Sequence, residues 1–244
     1  MAAHTKKLVG KNKPVEFTQT SDVGTKKKSS TPSAAIQAQL TPYDIFEKGI
    51  KRAKNLISFH TGGTESENEE HFCDAYRAAI VLTISALDAF VRSLVAEKIK
   101  AALVDTSRPL SEKLSEYIKG LLNQDKLLDA ARKNSLHELV DAQLKIDFST
   151  KSFQGEWKIK SQMELAGYIN IFKEISTTAD KNEQKLISTL KELTDRRHTI
   201  AHAGDYDLNA VPQTENKIDK KYASDGIDFV SEFAFHLNEI SKKK

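Results

Sequence analysis

The sequence predicts an all-α protein: a helical bundle with a long central helix, short accessory helices and a disordered basic N-terminal tail. Three observations predict it. The composition is 39% hydrophobic and 29% charged but only 7% aromatic, with five prolines and ten glycines in 244 residues. That balance favours helices over many short strands. Apolar residues recur at spacings of three and four along most of the chain beyond residue 40, and no strand-like alternation competes. Lysine, serine and threonine crowd the first 38 residues, where no period persists.

That segment divides the charge unevenly. Residues 1–35 hold seven lysines against Glu16 and Asp22, or 7 − 2 = +5 of a formal net charge of +3. The remainder is therefore 3 − 5 = −2, so the body is not a general nucleic-acid binder, and phosphate recognition would rest on a local site or on the tail. The tail can be an electrostatic arm for RNA or a plain solubilising extension. Cys73 is the single cysteine, which leaves no intrachain disulfide and no cysteine-based zinc site. No apolar run is expected to span a bilayer, and no secretory signal is read at the N-terminus. A cytoplasmic protein is expected, with residues 1–38 as tail and 39–244 as one helical domain.

The first helix opens at Thr41-Pro42-Tyr43-Asp44. Threonine caps, proline suits the first turn, and aspartate meets the positive helix end. Ile45, Phe46, Ile50, Ala53 and Ile57 form its apolar face to about Phe59. An acidic link, Thr61 to Glu70, follows; its Gly62-Gly63 lacks the Gly-Lys-Ser/Thr of a phosphate loop.

From His71 to about Leu103 runs the longest helical pattern. Cys73, Tyr76, Ile80, Ile84, Leu87, Val91 and Leu94 lie on one stripe, with Leu82, Ala86 and Phe90 beside it. A stripe this broad belongs in the centre of a bundle. Shorter helices are expected over Leu110–Leu122, Leu127–Arg132 and Leu136–Ile146. Residues 148–160 lose the period and could form a loop or a short hairpin. Trp157 there is read as a packing residue or as a platform for a nucleobase. A helix is expected over Ser161–Ser176, and a polar loop with Pro212 over residues 205–223. Ser224 or Asp225 would cap a last helix with Val230, Phe233, Leu237 and Ile240 inward.

Between those lies a helix beginning near Asp180. Leu186, Leu190, Leu193, Arg197 and Ile200 repeat at spacings of four, three, four and three, so Arg197 stands where an apolar residue is expected. A guanidinium is almost never fully buried without a partner. That face therefore opens on a cleft or Arg197 has an anionic partner, for which Asp88 of the long helix is the candidate. Five residues on, His202 can exchange a proton near neutral pH. Gly204 ends the helix, since glycine takes the left-handed conformation without steric cost.

Arg197-His198-Thr199-Ile200-Ala201-His202 resembles the signature of HEPN-domain proteins, R-[N/D/H]-x-x-x-H, and Ser85-Ala86-Leu87-Asp88-Ala89-Phe90-Val91 resembles the heart of their long helix. The resemblance covers residues 40–244. It implies a metal-independent endoribonuclease without cofactors, leaving 2′,3′-cyclic phosphate and 5′-hydroxyl ends. It also implies a homodimer whose two motifs face one cleft, a role in stress response or defence, and an antitoxin or defence-system partner. The expected roles are proton transfer for His202, phosphate for Arg197, orientation of RNA for His198, a neighbouring phosphate for Arg196 and support from Asp88. Some HEPN toxins carry a modifiable tyrosine two residues beyond the histidine. Tyr206, four beyond, is the candidate here, or an ordinary loop residue. The alternative is a non-catalytic HEPN-like module that binds RNA or protein.

One geometric difficulty is visible in the spacing. Arg197 and His202 lie roughly 140° apart around an ideal helix. Either the helix ends near Ala201 and His202 swings inward, or a second subunit completes the site. His198 and His202 alone are spaced for two zinc ligands, with Asp205 or Asp207 as a third, but Thr199 stands where a metalloprotease helix carries glutamate.

Overall fold

The computed structural model describes residues 40–58 and 69–243, with residues 69–71 as helical backbone only. The expected tail and most of the acidic link lie outside the described residues. Nine helices are found among the described residues, and they form an all-α bundle. Helix α1 spans Pro42–Ser58 and opens with a reciprocal cap. The Thr41 amide donates to Asp44 Oδ2 at 2.8 Å, and the Asp44 amide donates back to Thr41 Oγ1 at 3.1 Å. Two backbone donors at the helix start are thereby satisfied.

Helix α2, Glu69–Val104, is the axis of the bundle, and α1, α5, α6, α8 and α9 all touch it. Ile80, Ile84, Leu87, Phe90, Val91 and Leu94 are buried along it. Its closest neighbour is α1, and the approach depends on Gly49. A methyl group there would sit 2.6 Å from Ala86 Cβ, well inside contact distance. Tyr43, Phe46 and Phe90 close this end with tilted and edge-on ring contacts 5.5–5.8 Å apart.

The expectation that no apolar run reaches membrane-spanning length is corrected here. The 33 residues Phe72–Val104 are long and apolar enough to cross a bilayer by length and composition, but 56% of their most apolar window is buried inside the bundle. The apolarity comes from a core helix covered on several sides.

The accessory helices are α3 (Glu112–Leu121), α4 (Gln124–Arg132), α5 (Leu136–Ser149), α6 (Glu156–Leu165) and α7 (Ile171–Thr178). Of the loop or hairpin expected over residues 148–160 the loop is found, shorter than expected, and one expected helix is split. Residues 150–155 form a connector with no hairpin, and α6 begins within the stretch expected to be irregular. The single helix expected over Ser161–Ser176 is two, because Gly167 has φ +91° and Asn170 has φ +60°. Both are left-handed conformations that end a right-handed helix. Helix α8 is Glu183–Ala203, and α9 is Lys220–Lys242. The Asp219 side chain caps α9 by accepting from the Tyr222 amide, so this helix starts a full turn before the expected Ser224 or Asp225. Between α8 and α9 the chain makes a two-residue antiparallel ribbon, β1 (Tyr206–Asp207) against β2 (Thr214–Glu215), where only loop was expected.

Candidate RNA-binding and catalytic site

The site is built on the last two turns of α8. Asn182 caps the start of this helix by accepting from the Lys185 amide, and Leu186, Leu190 and Leu193 anchor it in the core. The helix continues through His202 to Ala203, so the histidine does not swing inward as one expectation allowed. Gly204 at φ +59° and Asp205 at φ +67° then reverse the chain, and both amides donate to the Thr199 carbonyl. Within one chain the separation of roughly 140° between Arg197 and His202 therefore stands. His198 and His202 are one turn apart on an exposed face, with ring centroids 4.4 Å apart.

The adjacent arginines point to different places. Arg196 donates from Nη2 to Asp205 Oδ2 at 2.7 Å, to the Asn216 carbonyl at 3.2 Å and to the Lys217 carbonyl at 3.0 Å. Its guanidinium also lies 5.6 Å from the centroid of the Tyr222 ring. The expectation that Arg196 contacts a phosphate is therefore corrected: its charge and its Nη2 group serve the protein interior, while its Nε is buried without a partner among the described residues. Asp205 is fully buried, and its Oδ2 also accepts from Arg77 Nε at 2.9 Å. Arg77 meets Glu215 at 3.0 Å and Asp74 at 3.2 Å besides. Burial works against the Arg77 charge, but the hydrogen bond to Asp205, with Glu215 and Asp74, outweighs it and raises its pKa above the ordinary value. Asn216 closes the knot by donating its amide and side-chain N–H groups to the Asp205 carbonyl, both at 2.8 Å. One buried cation, one half-buried cation and one buried anion thus clamp the ribbon onto the end of the motif helix. Asp205, weighed above as a metal ligand, is committed to this clamp. Among the described residues no group of three histidine, cysteine, aspartate or glutamate side chains is placed around one point.

Burial pushes the Tyr222 hydroxyl up to about 12, with Glu192 adding to the rise and Arg196 opposing it. Tyr206 is 44% exposed on β1 and packs beside Gly204.

Arg197 differs from its neighbour. Both are half-buried with an Nε that is buried without a partner, but Arg197, unlike Arg196, makes no hydrogen bond or ion pair among the described residues. It lines a polar cleft of about 310 Å³ together with Ser85, Asp88, Arg92, Lys151 and Gln154. Asp88 shares the cleft but does not pair with Arg197, which corrects the expected ion pair. Its carboxylate takes Arg92 Nη2 at 2.6 Å, the Phe153 amide at 2.6 Å and the Ser152 hydroxyl at 3.3 Å. Arg92 in turn donates to the Phe148 carbonyl and, at 2.8 Å, to the Lys151 carbonyl. The pair therefore holds the α5–α6 connector in shape and leaves Arg197 unsatisfied. Phe153 under the connector is fully buried against Phe148, with ring centroids 4.7 Å apart.

Sequence reasoning missed Arg77 and Arg92, and weighed Asp205 only as a metal ligand. Arg77 and Arg92 carried a faint signal, as isolated charges inside the apolar pattern of α2. Asp205 carried no signal of burial, since an aspartate after a helix-ending glycine reads as solvent-facing. The packing reading of Trp157 also fails, because the side chain is 65% exposed.

A family model described as RiboL-PSP-HEPN matches residues 47–240. No curated protein and no solved structure matches the chain.

Proposed function

The chain belongs to the HEPN family, and from that membership we propose that it is a metal-independent endoribonuclease. One observation carries the reading. A half-buried arginine without a partner among the described residues opens on a polar cleft, five residues before an exposed histidine on the same helix. An unpaired, partly desolvated guanidinium is costly unless an anion completes it. A phosphate does so with matched geometry.

Cleavage of this kind needs the ribose 2′-hydroxyl to lose a proton as its oxygen attacks phosphorus. The bond to the 5′-oxygen breaks, and that oxygen leaves with a proton. His202 serves the proton transfers, Arg197 stabilises the charge on the phosphorane, and His198 beside His202 orients the RNA. The products are a 2′,3′-cyclic phosphate and a 5′-hydroxyl. Because Arg197 and His202 diverge on one helix, a homodimer with the motif faces opposed would complete the site. Tyr206, exposed beyond the motif, is available for modification by an antitoxin-like or defence-system partner.

The divergence also favours a second reading, in which a single chain binds RNA without cutting it. Incubation with a labelled oligonucleotide in EDTA, beside His202→Ala and Arg197→Ala, separates the two. Fragments with cyclic phosphate ends, lost in both variants, are the expected result. Cleavage retained in either variant removes the catalytic assignment, and no cleavage by the parent protein favours the binding module.

A further inference from the structure

We propose that the cleft beside Arg197 is one part of a track for single-stranded RNA, running over the α5–α6 connector to Trp157. The proposal rests on RNA being the ligand of the motif. It adds Lys151, Gln154 and Trp157 as binding residues that the motif does not contain.

The charge of the cleft is the first argument. Arg92, Lys151 and Arg197 line it against one acid, Asp88, or 3 − 1 = +2. In a chain body with a net charge of −2 this is a local reversal of sign. Asp88 is saturated by Arg92, Ser152 and the Phe153 amide, so it does not compete for Arg197. Lys151 pairs with Asp147 at 2.6 Å and lies 5.4 Å from the centroid of the Tyr117 ring, so its charge is partly offset, but its ammonium keeps donors beyond that pair.

Unmet hydrogen bonding is the second argument. Arg197 Nε, a donor, and Gln154 Oε1, an acceptor, are both buried and both without partners among the described residues, and both residues line this cleft. A phosphodiester offers only acceptors and can complete the arginine but not the glutamine. A ribose 2′-hydroxyl offers the donor that Gln154 lacks. The pair is complementary to a ribonucleotide.

Continuity is the third. A methyl group at Gly155 would lie 3.6 Å from Thr194 Cγ2 on α8. Thr194 lies between Arg197 and His198 around the helix, so the connector abuts α8 where the cleft meets the histidine face. Three residues beyond Gln154 stands Trp157, 65% exposed, with Lys158 Nζ 5.0 Å from its ring centroid. Three residues span at most about 11 Å, within reach of the next bases of a bound strand. An exposed indole is a stacking platform that accepts any base.

The protein has one tryptophan, so its fluorescence reports on this lip alone. The test titrates the full-length His202→Ala protein with a 12-nucleotide single-stranded RNA and the matching DNA, following tryptophan emission and the anisotropy of a labelled strand. RNA is expected to quench Trp157. Lys151→Glu should weaken RNA binding about tenfold, and Lys151→Gln by less, with the slope of log affinity against log salt falling by about 0.7. Trp157→Ala should weaken binding by about tenfold or more. Gln154→Ala should narrow the preference for RNA over DNA, and equal affinity for both strands would remove the role of Gln154. Binding seen by anisotropy without quenching, or unchanged in properly folded Lys151 and Trp157 variants, would overturn the track, as would absence of binding. Cleavage by the parent protein alongside either result leaves the nuclease reading intact. Quenching and Lys151 dependence without any cleavage would keep the track and refute the nuclease.

Discussion

Replacing Asp205 by asparagine tests the clamp on the motif helix with almost no change of shape. Oδ2 of Asp205 accepts from Arg77 Nε at 2.9 Å and from Arg196 Nη2 at 2.7 Å, while Oδ1 faces Asn216 Nδ2 at 3.4 Å. An asparagine can turn its oxygen to the arginines, but its NH₂ then meets the NH₂ of Asn216. Turned the other way, it sets donors against donors at both guanidinium groups. Either way the buried anion is lost, while the Arg77 and Arg196 side chains remain only 9% and 18% exposed. Removing one partner of a buried ion pair costs about 3–5 kcal/mol, mostly as the penalty of the stranded charge. For a domain of this size that lowers the melting temperature by about 6–20 °C. Urea unfolding followed by far-ultraviolet dichroism at neutral pH measures it. Adding Arg77→Met to Asp205→Asn should recover part of the loss, because one stranded cation is removed. A loss below about 1 kcal/mol for Asp205→Asn would refute the reasoning, since it would mean that solvent already satisfies these arginines.

The remaining predictions concern packing, pH and the division between the two arginines. Gly49→Ala should destabilise by about 1–3 kcal/mol from overpacking against Ala86, more than the roughly 1 kcal/mol that alanine gains in a helix, and Gly49→Ala with Ala86→Gly should restore most of it; a more stable single variant in thermal melts would contradict this. Burial raises the hydroxyls of Tyr168 and Tyr222 to about 12 from 10.0. The neutral forms are therefore favoured in the fold, so this stability is complete below pH 10 and is lost as pH rises through about 12. Alkaline unfolding should coincide with tyrosinate absorbance at 295 nm, and early, fully reversible ionisation of all six tyrosines in folded protein would oppose it. Arg196→Lys should lower stability and leave RNA affinity within about twofold in the His202→Ala background. Lost affinity with unchanged stability would return Arg196 to the phosphate.

Where the sequence was legible, one residue's local chemistry decided the outcome. The Thr41 and Asp44 cap, the broad stripe of α2 and the stop at Gly204 all follow from positions a few residues apart. The break between α6 and α7 was hidden because Met163, Tyr168, Phe172 and neighbouring apolar residues keep a helical period across it, although Gly167 was a warning. Arg197, an intruder on an apolar stripe, leaves open either a cleft or an anionic partner; it lines a cleft, and Asp88, the expected partner, is taken by Arg92. Asp88 is four residues from Arg92, the ordinary reach of a helical ion pair, and the nearer cation claims it. Asp205 meets Arg77 across 128 positions of chain. No local pattern predicts a contact that only the tertiary fold creates.

The three charges that grip the neighbourhood of the motif share one helix and nearly one side of it. Arg77 and Asp88 of α2 are eleven residues apart, so they point within roughly 20° of each other, about 16 Å apart along the axis. Arg92 follows one turn further. Arg77 fixes the ribbon beyond the end of α8, while Asp88 and Arg92 fix the connector at its flank. Helix α2 therefore acts as a ruler whose graduations set the spacing between the two walls of the site. A one-residue insertion between Arg77 and Asp88 would turn one mark by about 100° relative to the other and advance it by about 1.5 Å. The molecule could then hold its ribbon or its connector in place, but not both. Changes of length should be excluded from that stretch even though neither end of it touches the histidines.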